Sequence, residues 1–98
     1  MKTMILFEWD ETKNKANRKK HGVWFEEVEQ IFNDPNALRF PDVEHSKNED
    51  RYLMLGLSGS ARMLVVVFCE RGKDGTEIRI ISARKATKGE ARVYEKGI

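Results

Sequence analysis

The chain has one cysteine, Cys69, so no disulfide can form within it. With Cys69, His21 and His45 as its only soft ligands, it lacks the set for a four-ligand structural zinc site. Cys69 lies in the apolar run 63–69, where it reads as a small strand residue rather than a nucleophile. No apolar run approaches the roughly 20 residues needed to span a membrane. Only Met4 to Phe7 are consecutively apolar near the N-terminus, too few for a secretory leader, so a cytoplasmic location is expected. No glycine-rich phosphate loop and no nucleophile elbow surround Ser58, Ser60 or Ser82. Asp42, Glu44, Glu49 and Asp50 lack the ordered spacing of a calcium loop. No metal and no cofactor is expected.

What is present is charge. It makes up 35% of 98 residues, with a net of +2. Its distribution is uneven. Residues 1–24 carry six Lys/Arg against three Asp/Glu, residues 25–50 two against eight, and residues 51–98 ten against five. Two basic segments flank an acidic one, a pattern compatible with a polyanion on one face. The length allows one domain, residues 1–98, with one modest core.

Residues 4–8 read as a strand. Asp10 is placed to cap a helix over 11–20 that carries Arg18, Lys19 and Lys20 in its last turn and ends at His21-Gly22. Ala16 is its single apolar residue, so something other than an apolar stripe must anchor it. Residues 24–33 predict an amphipathic helix, with Phe25, Val28, Ile31 and Phe32 on one face, ended by Asp34-Pro35. Residues 37–41 form a short strand. Residues 42–50 form a polar loop in which His45 is solvated. Three period-two segments follow, at 51–58, 62–70 and 76–83, joined by short turns as an antiparallel meander. Thr87 and Glu90 fit a capping box that opens a final helix reaching Lys96, with Gly97 after it. The expected fold is a small α+β domain: an antiparallel sheet of the N-terminal strand plus the meander, two helices on one face and a short C-terminal helix.

Chemistry concentrates at the junction of the last strand and last helix. Alternation puts Ile78, Ile80, Ser82 and Arg84 on one face and Arg79, Ile81 and Ala83 on the other. Arg79 and Arg84 can each grip a phosphate with two parallel N–H groups. Glu90 and Tyr94 are helical neighbours. With His21 and Lys20 they supply acid–base groups, and this inventory suits metal-independent cleavage of RNA, in which the 2′-hydroxyl is the nucleophile.

Two strings make the reading more specific. The first, F-E-W-D-x-x-K-x-x-x-N-x-x-K-H-G-V-x-F, is present as Phe7, Glu8, Trp9, Asp10, Lys13, Asn17, Lys20, His21, Gly22, Val23 and Phe25. The second runs from Ile78 to Arg84 and continues through Ala86, Thr87, Glu90, Tyr94 and Glu95. Together they resemble the BrnT family of toxins of bacterial type II toxin–antitoxin systems. The resemblance implies a RelE-like fold and a ribonuclease that arrests translation. It also implies a BrnA-like ribbon-helix-helix antitoxin that neutralises it, with operator DNA bound only through that antitoxin as the pair represses its operon. The proposed catalytic set is Lys20, His21, Arg79, Arg84, Glu90 and Tyr94, and the RNA-binding set Lys13, Asn17, Lys88 and Arg92. The chain departs from the family pattern at Ala91, where a second Arg is frequent, at Gly89 inside the last helix, and at Trp24. Gly89 and Ala91 motivate the rival reading, a non-catalytic binding or regulatory subunit of such a complex.

Overall fold

The computed structural model describes residues 4–47 and 49–97. Residues 1–3, the start of the stretch tested above as a leader, and position 48 of the 42–50 loop fall outside it. The chain runs β1 (Leu6–Glu8), α1 (Glu11–His21), α2 (Phe25–Val28), β2 (Leu38–Pro41), β3 (Asp50–Leu57), β4 (Met63–Arg71), β5 (Glu77–Lys85) and α3 (Lys88–Lys96). Among the described residues, no helix is long and apolar enough to cross a membrane.

The five strands form one sheet in the order β1-β5-β4-β3-β2. The meander β2 to β5 is antiparallel throughout, as its period-two pattern predicts. The expectation of a wholly antiparallel sheet fails at β1, which pairs parallel to β5 through Leu6–Glu77, Phe7–Ile78 and Glu8–Arg79. The reason is topological. Two helices and the rest of the meander separate β1 from β5 in the chain, so no tight turn forces the antiparallel pairing.

The predicted helix over 24–33 is only partly α-helical. Its second half, Glu29–Asn33, tightens into a 3-10 helix. Its apolar residues still go where the spacing sends them. Phe25, Val28 and Ile31, with Val23, pack on Leu64, Val66, Phe68, Ile78, Ile80 and Ala83. Gly56 allows the close approach there, since a Cβ on it would stand 3.0 Å from Ile31 Cβ.

Helix α1 is anchored by two buried asparagines. Asn17 Nδ2 donates to the carbonyls of Val23 (2.9 Å) and Ala83 (2.9 Å), and Asn17 Oδ1 accepts from Ala83 N–H (3.1 Å). The side-chain amide thus pairs with β5 as another strand would, just beyond the point where β1 stops. Asn14 Oδ1 accepts from Phe25 N–H (2.8 Å), and its Nδ2 donates to Glu26 (2.8 Å) and Glu11 (3.2 Å). Asp10 caps the helix through Thr12 and Lys13 N–H, and Gly22 closes it with φ of 73°.

Part of the acidic block also has a packing role. The Glu27 carboxylate takes both arms of Arg62, at 2.9 and 2.6 Å, and the hydroxyls of Ser58 (2.9 Å) and Ser60 (2.7 Å). It ties α2 to the β3–β4 turn. The Arg62 guanidinium holds its carboxyl at about 2, well below the usual 4.5.

Candidate functional site

Cross-strand partners share a face of the sheet. Leu64, Val66 and Phe68 of β4 lie under α2, so Val65, Val67 and Cys69 point to the opposite face. The pairing of β4 with β5 slips between Val67, opposite Ser82, and Phe68, opposite Ile80. Ile81 is the extra residue of a β-bulge, and side chains beyond it switch sides. This overturns the alternation expected for β5. Arg79, opposite Cys69, and Arg84, opposite Val65, lie on the same face. Ala83 moves to the buried side with Ile78 and Ile80, and Ser82 leaves it.

That second face is covered at one end only. Helix α3 crosses it there, and Glu90 and Val93 close an apolar groove of about 240 Å³ against Phe40, Leu53, Leu55 and Val65. The capping box forms as predicted, with Thr87 Oγ1 accepting from Glu90 N–H (3.1 Å) and Glu90 Oε1 from Thr87 N–H (2.8 Å). Glu90 also receives both arms of Arg84, at 2.8 and 2.9 Å. This fork holds the Glu90 carboxyl at about 2 and raises the Arg84 guanidinium further. A carboxylate so strongly held is a weak proton acceptor at neutral pH. Its geometry instead fixes Arg84 and the start of α3. Tyr94 donates its hydroxyl to Asp34 (2.7 Å), a bond that pushes the phenol up and pins the far end of the helix.

Lys20 and His21 sit at the end of α1. The next carbonyl, that of Gly22, receives Arg62 Nη2 (3.1 Å), and the carbonyl of Met63 next to it receives Ala86 N–H (2.9 Å). The end of α1 and the start of α3 are therefore at the same end of the sheet. Among the described residues, no protein group hydrogen-bonds to the His21 ring. Lys88 and Arg92 are exposed on α3 and hold no ion-pair partner among the described residues. Asn17, expected to meet RNA, has both amide hydrogens committed to buried carbonyls and is removed from the binding set.

The uncovered half of the face holds residues that the sequence reading did not assign. Lys13 reaches from α1 into an open cleft of about 570 Å³ with Arg51, His45, Cys69 and Ile81. Arg79 stands beside this cleft, 3.7 Å from Glu8, which also binds Arg71 (2.8 Å). Burial raises the Cys69 thiol to about 11, so it stays protonated. His45 had a legible signal, an acid three residues earlier at Asp42. Arg51 had another, its place on the Leu53–Leu55–Leu57 face. Among the described residues, no three His, Cys, Asp or Glu side chains group to hold a metal ion.

The fold and this face define a class: a small α+β domain with a mixed five-stranded sheet, one side closed by helices, the other lined with cations that suit an anionic chain. Residues 9–90 match the sequence profile of the ribonuclease toxin BrnT of type II toxin–antitoxin systems, and the chain belongs to that family. A crystal structure of the Brucella abortus ribonuclease toxin BrnT superposes with a TM-score of 0.64 and 28% identity, covering 88% of this chain and 100% of that one. No curated protein matches the sequence.

Proposed function

We propose that the protein is a metal-independent endoribonuclease with a RelE-like fold that arrests translation in the cytoplasm and is neutralised by a BrnA-like ribbon-helix-helix antitoxin. The pair represses its operon, with operator DNA held through the antitoxin. The observation that carries the reading is the shared face of Arg79 and Arg84, which lie about four residue steps apart along one strand. A strand rises about 3.3 Å per residue, so the two arginines stand about 13 Å apart along it, far enough to hold separate phosphates of an extended RNA. Arg84, Lys88 and Arg92 hold the chain at the α3 end, Arg79 and Lys13 at the other, and Lys20 and His21 approach from the end of α1. Glu90 and Tyr94 act by fixing Arg84 and α3.

The test is cleavage of an RNA transcript by purified protein with and without EDTA. Cleavage should survive EDTA and fall about 10²-fold or more in Arg79→Ala, the order expected for one lost charge-stabilising contact. Abolition of cleavage by EDTA would defeat the metal-free mechanism. An unchanged rate in Arg79→Ala would defeat the site.

A further inference from the structure

Asp42 precedes a 3-10 turn, Val43–His45, that folds the His45 ring back onto its carboxylate. His45 Nδ1 lies 3.0 Å from Asp42 Oδ1 and 3.1 Å from Oδ2. An ionised carboxylate only accepts, so Nδ1 carries the hydrogen. In the neutral ring that leaves Nε2 with a free lone pair. The turn is not loose. Asp42 N–H donates to Arg51 C=O (2.8 Å), Ser46 Oγ donates to Asp42 C=O (2.7 Å), and Arg51 N–H donates to Ser46 Oγ (3.0 Å). The Asp42 carboxylate is 18% exposed while the His45 side chain is 60% exposed. The orienting group is thus held in the protein and the imidazole faces the solvent.

His45 lines the cleft on the same sheet face as Arg79. The cations there are Lys13 from α1, Lys47 from the turn and Arg51 from β3. Among the described residues, Arg51 Nε is buried with no hydrogen-bond partner, and Asp42 Oδ2 is 4.0 Å from it. Arg84, by contrast, already has both arms on Glu90. The guanidinium with unmet hydrogen-bonding capacity is therefore beside His45. A turn-stabilising pair would explain the Asp42–His45 bond alone. It does not explain why the ring stands over a cleft with three cations and a partly unsatisfied arginine.

We propose that His45, oriented by Asp42, is the proton-transfer residue for RNA cleavage, with Lys13 and Arg51 holding the scissile phosphate; this rests on the ribonuclease reading above. Neutral His45 Nε2 takes the proton of the 2′-hydroxyl. The O2′–P bond forms as the P–O5′ bond breaks, and the departing 5′-oxygen takes a proton from water. The products are a 2′,3′-cyclic phosphate and a 5′-hydroxyl, and His45 returns its proton to solvent. Besides Lys13, Lys47 and Arg51, the titratable groups that line the cleft with the ring are Glu44, Glu49 and Cys69. Glu49 is lowered by the Cys69 thiol and Arg71, and Cys69 remains a thiol, so neither changes charge near neutrality.

The test follows cleavage of one transcript in EDTA, with pH varied between roughly 5 and 8, where histidine titrates. Wild type, His45→Ala, Asp42→Asn and His21→Ala are compared. Wild-type rate should fall on acidification within this range, because a protonated imidazole cannot accept the 2′-hydroxyl proton. His45→Ala should lose about 10²- to 10⁴-fold and this acid limb with it, while retaining wild-type RNA affinity in a gel shift. Asp42→Asn, a change at a positioning residue, should lower the rate while leaving RNA affinity at the wild-type level, because Nδ1 loses the carboxylate that fixes which ring nitrogen carries the hydrogen. His45→Ala cleaving at the wild-type rate, or His21→Ala losing the limb while His45→Ala keeps it, overturns the proposal and leaves the ribonuclease reading standing. Wild-type protein that cuts no RNA overturns both.

Discussion

Asn17→Ala tests whether the polar helix α1 is held by side-chain pairing with the sheet edge. Asn17 is 7% exposed. Its three hydrogen bonds, at 2.9, 2.9 and 3.1 Å, serve the Val23 carbonyl and both backbone groups of Ala83. Truncation leaves all three without a partner. An orphaned buried polar group costs about 1–3 kcal/mol. Water entering the space left by the side chain can replace part of the loss, so the lower end applies and the sum is about 3–5 kcal/mol. A domain of this size has about 5–15 kcal/mol in total. At about 4–8 °C per kcal/mol, the midpoint of thermal unfolding should fall by at least about 12 °C. Circular dichroism on heating and urea titration would measure this. Asn17→Asp should be no better, since it keeps only the acceptor and puts a carboxylate against two carbonyl oxygens. A loss below about 1 kcal/mol, accompanied by a severalfold fall in RNA affinity, would refute the argument and return Asn17 to the RNA-binding set.

Two further outcomes concern stability. Glu27 and Glu90 both have carboxyls lowered from 4.5 to about 2, so their contribution is present above pH 4.5 and is lost as pH falls towards 2. At 1.36 kcal/mol per unit the Glu27 share is at most about 3 kcal/mol, and that of Glu90, a third exposed, about 1. Denaturation at intervals across this range should show Glu27→Gln with a shallower acid limb than wild type. An unchanged limb would mean that the Arg62 fork is not formed in solution. Gly89 lies in the first turn of α3, and a Cβ there would meet nothing closer than Thr87 Oγ1 at 3.9 Å. Gly89→Ala should raise stability by up to about 1 kcal/mol, read as a higher urea midpoint, and a lower midpoint would contradict the helical geometry assigned there.

Element identity was legible wherever one residue pattern decided it. Leu53, Leu55 and Leu57 marked β3, the run 63–69 marked β4, and Thr87 with Glu90 marked the start of α3, because each pattern reports one buried face or one cap. The errors came where a distant partner decided. Nothing in Leu6–Glu8 states that its partner is β5 or that the pairing is parallel. Asn14 and Asn17 look like solvated helix residues, since a buried amide is legible only once the carbonyls it serves are placed. The site suffered most. Glu90 and Arg84 were found by type and spacing, but each consumes the other's charge, which spacing cannot show. His45 was set aside as a loop residue because its value depends on Asp42, on Arg51 and on Lys13 from a helix 32 residues earlier.

One backbone irregularity decides the functional surface. A regular β5 would keep Arg79 opposite in face to Arg84 and direct one of them against α2. Burying a guanidinium there without a partner costs several kcal/mol. The slip at Val67/Phe68 removes that conflict, since Ile81 absorbs one residue and both arginines emerge on the uncovered side. The same slip sends Ala83, the smallest side chain of that segment, to the buried side, and the Ala83 backbone is the one that Asn17 binds. Packing of α1 and display of the arginines are therefore coupled through one strand. Deleting Ile81 removes only the extra residue: Ser82 then follows Ile80 as Val67 and Phe68 already oppose them, so Arg79 and Arg84 keep their common face and the Asn17 amide keeps the Ala83 backbone. That deletion should retain both the fold and RNA binding, and loss of RNA binding in a folded deletion variant would show that a common face is not what holds RNA.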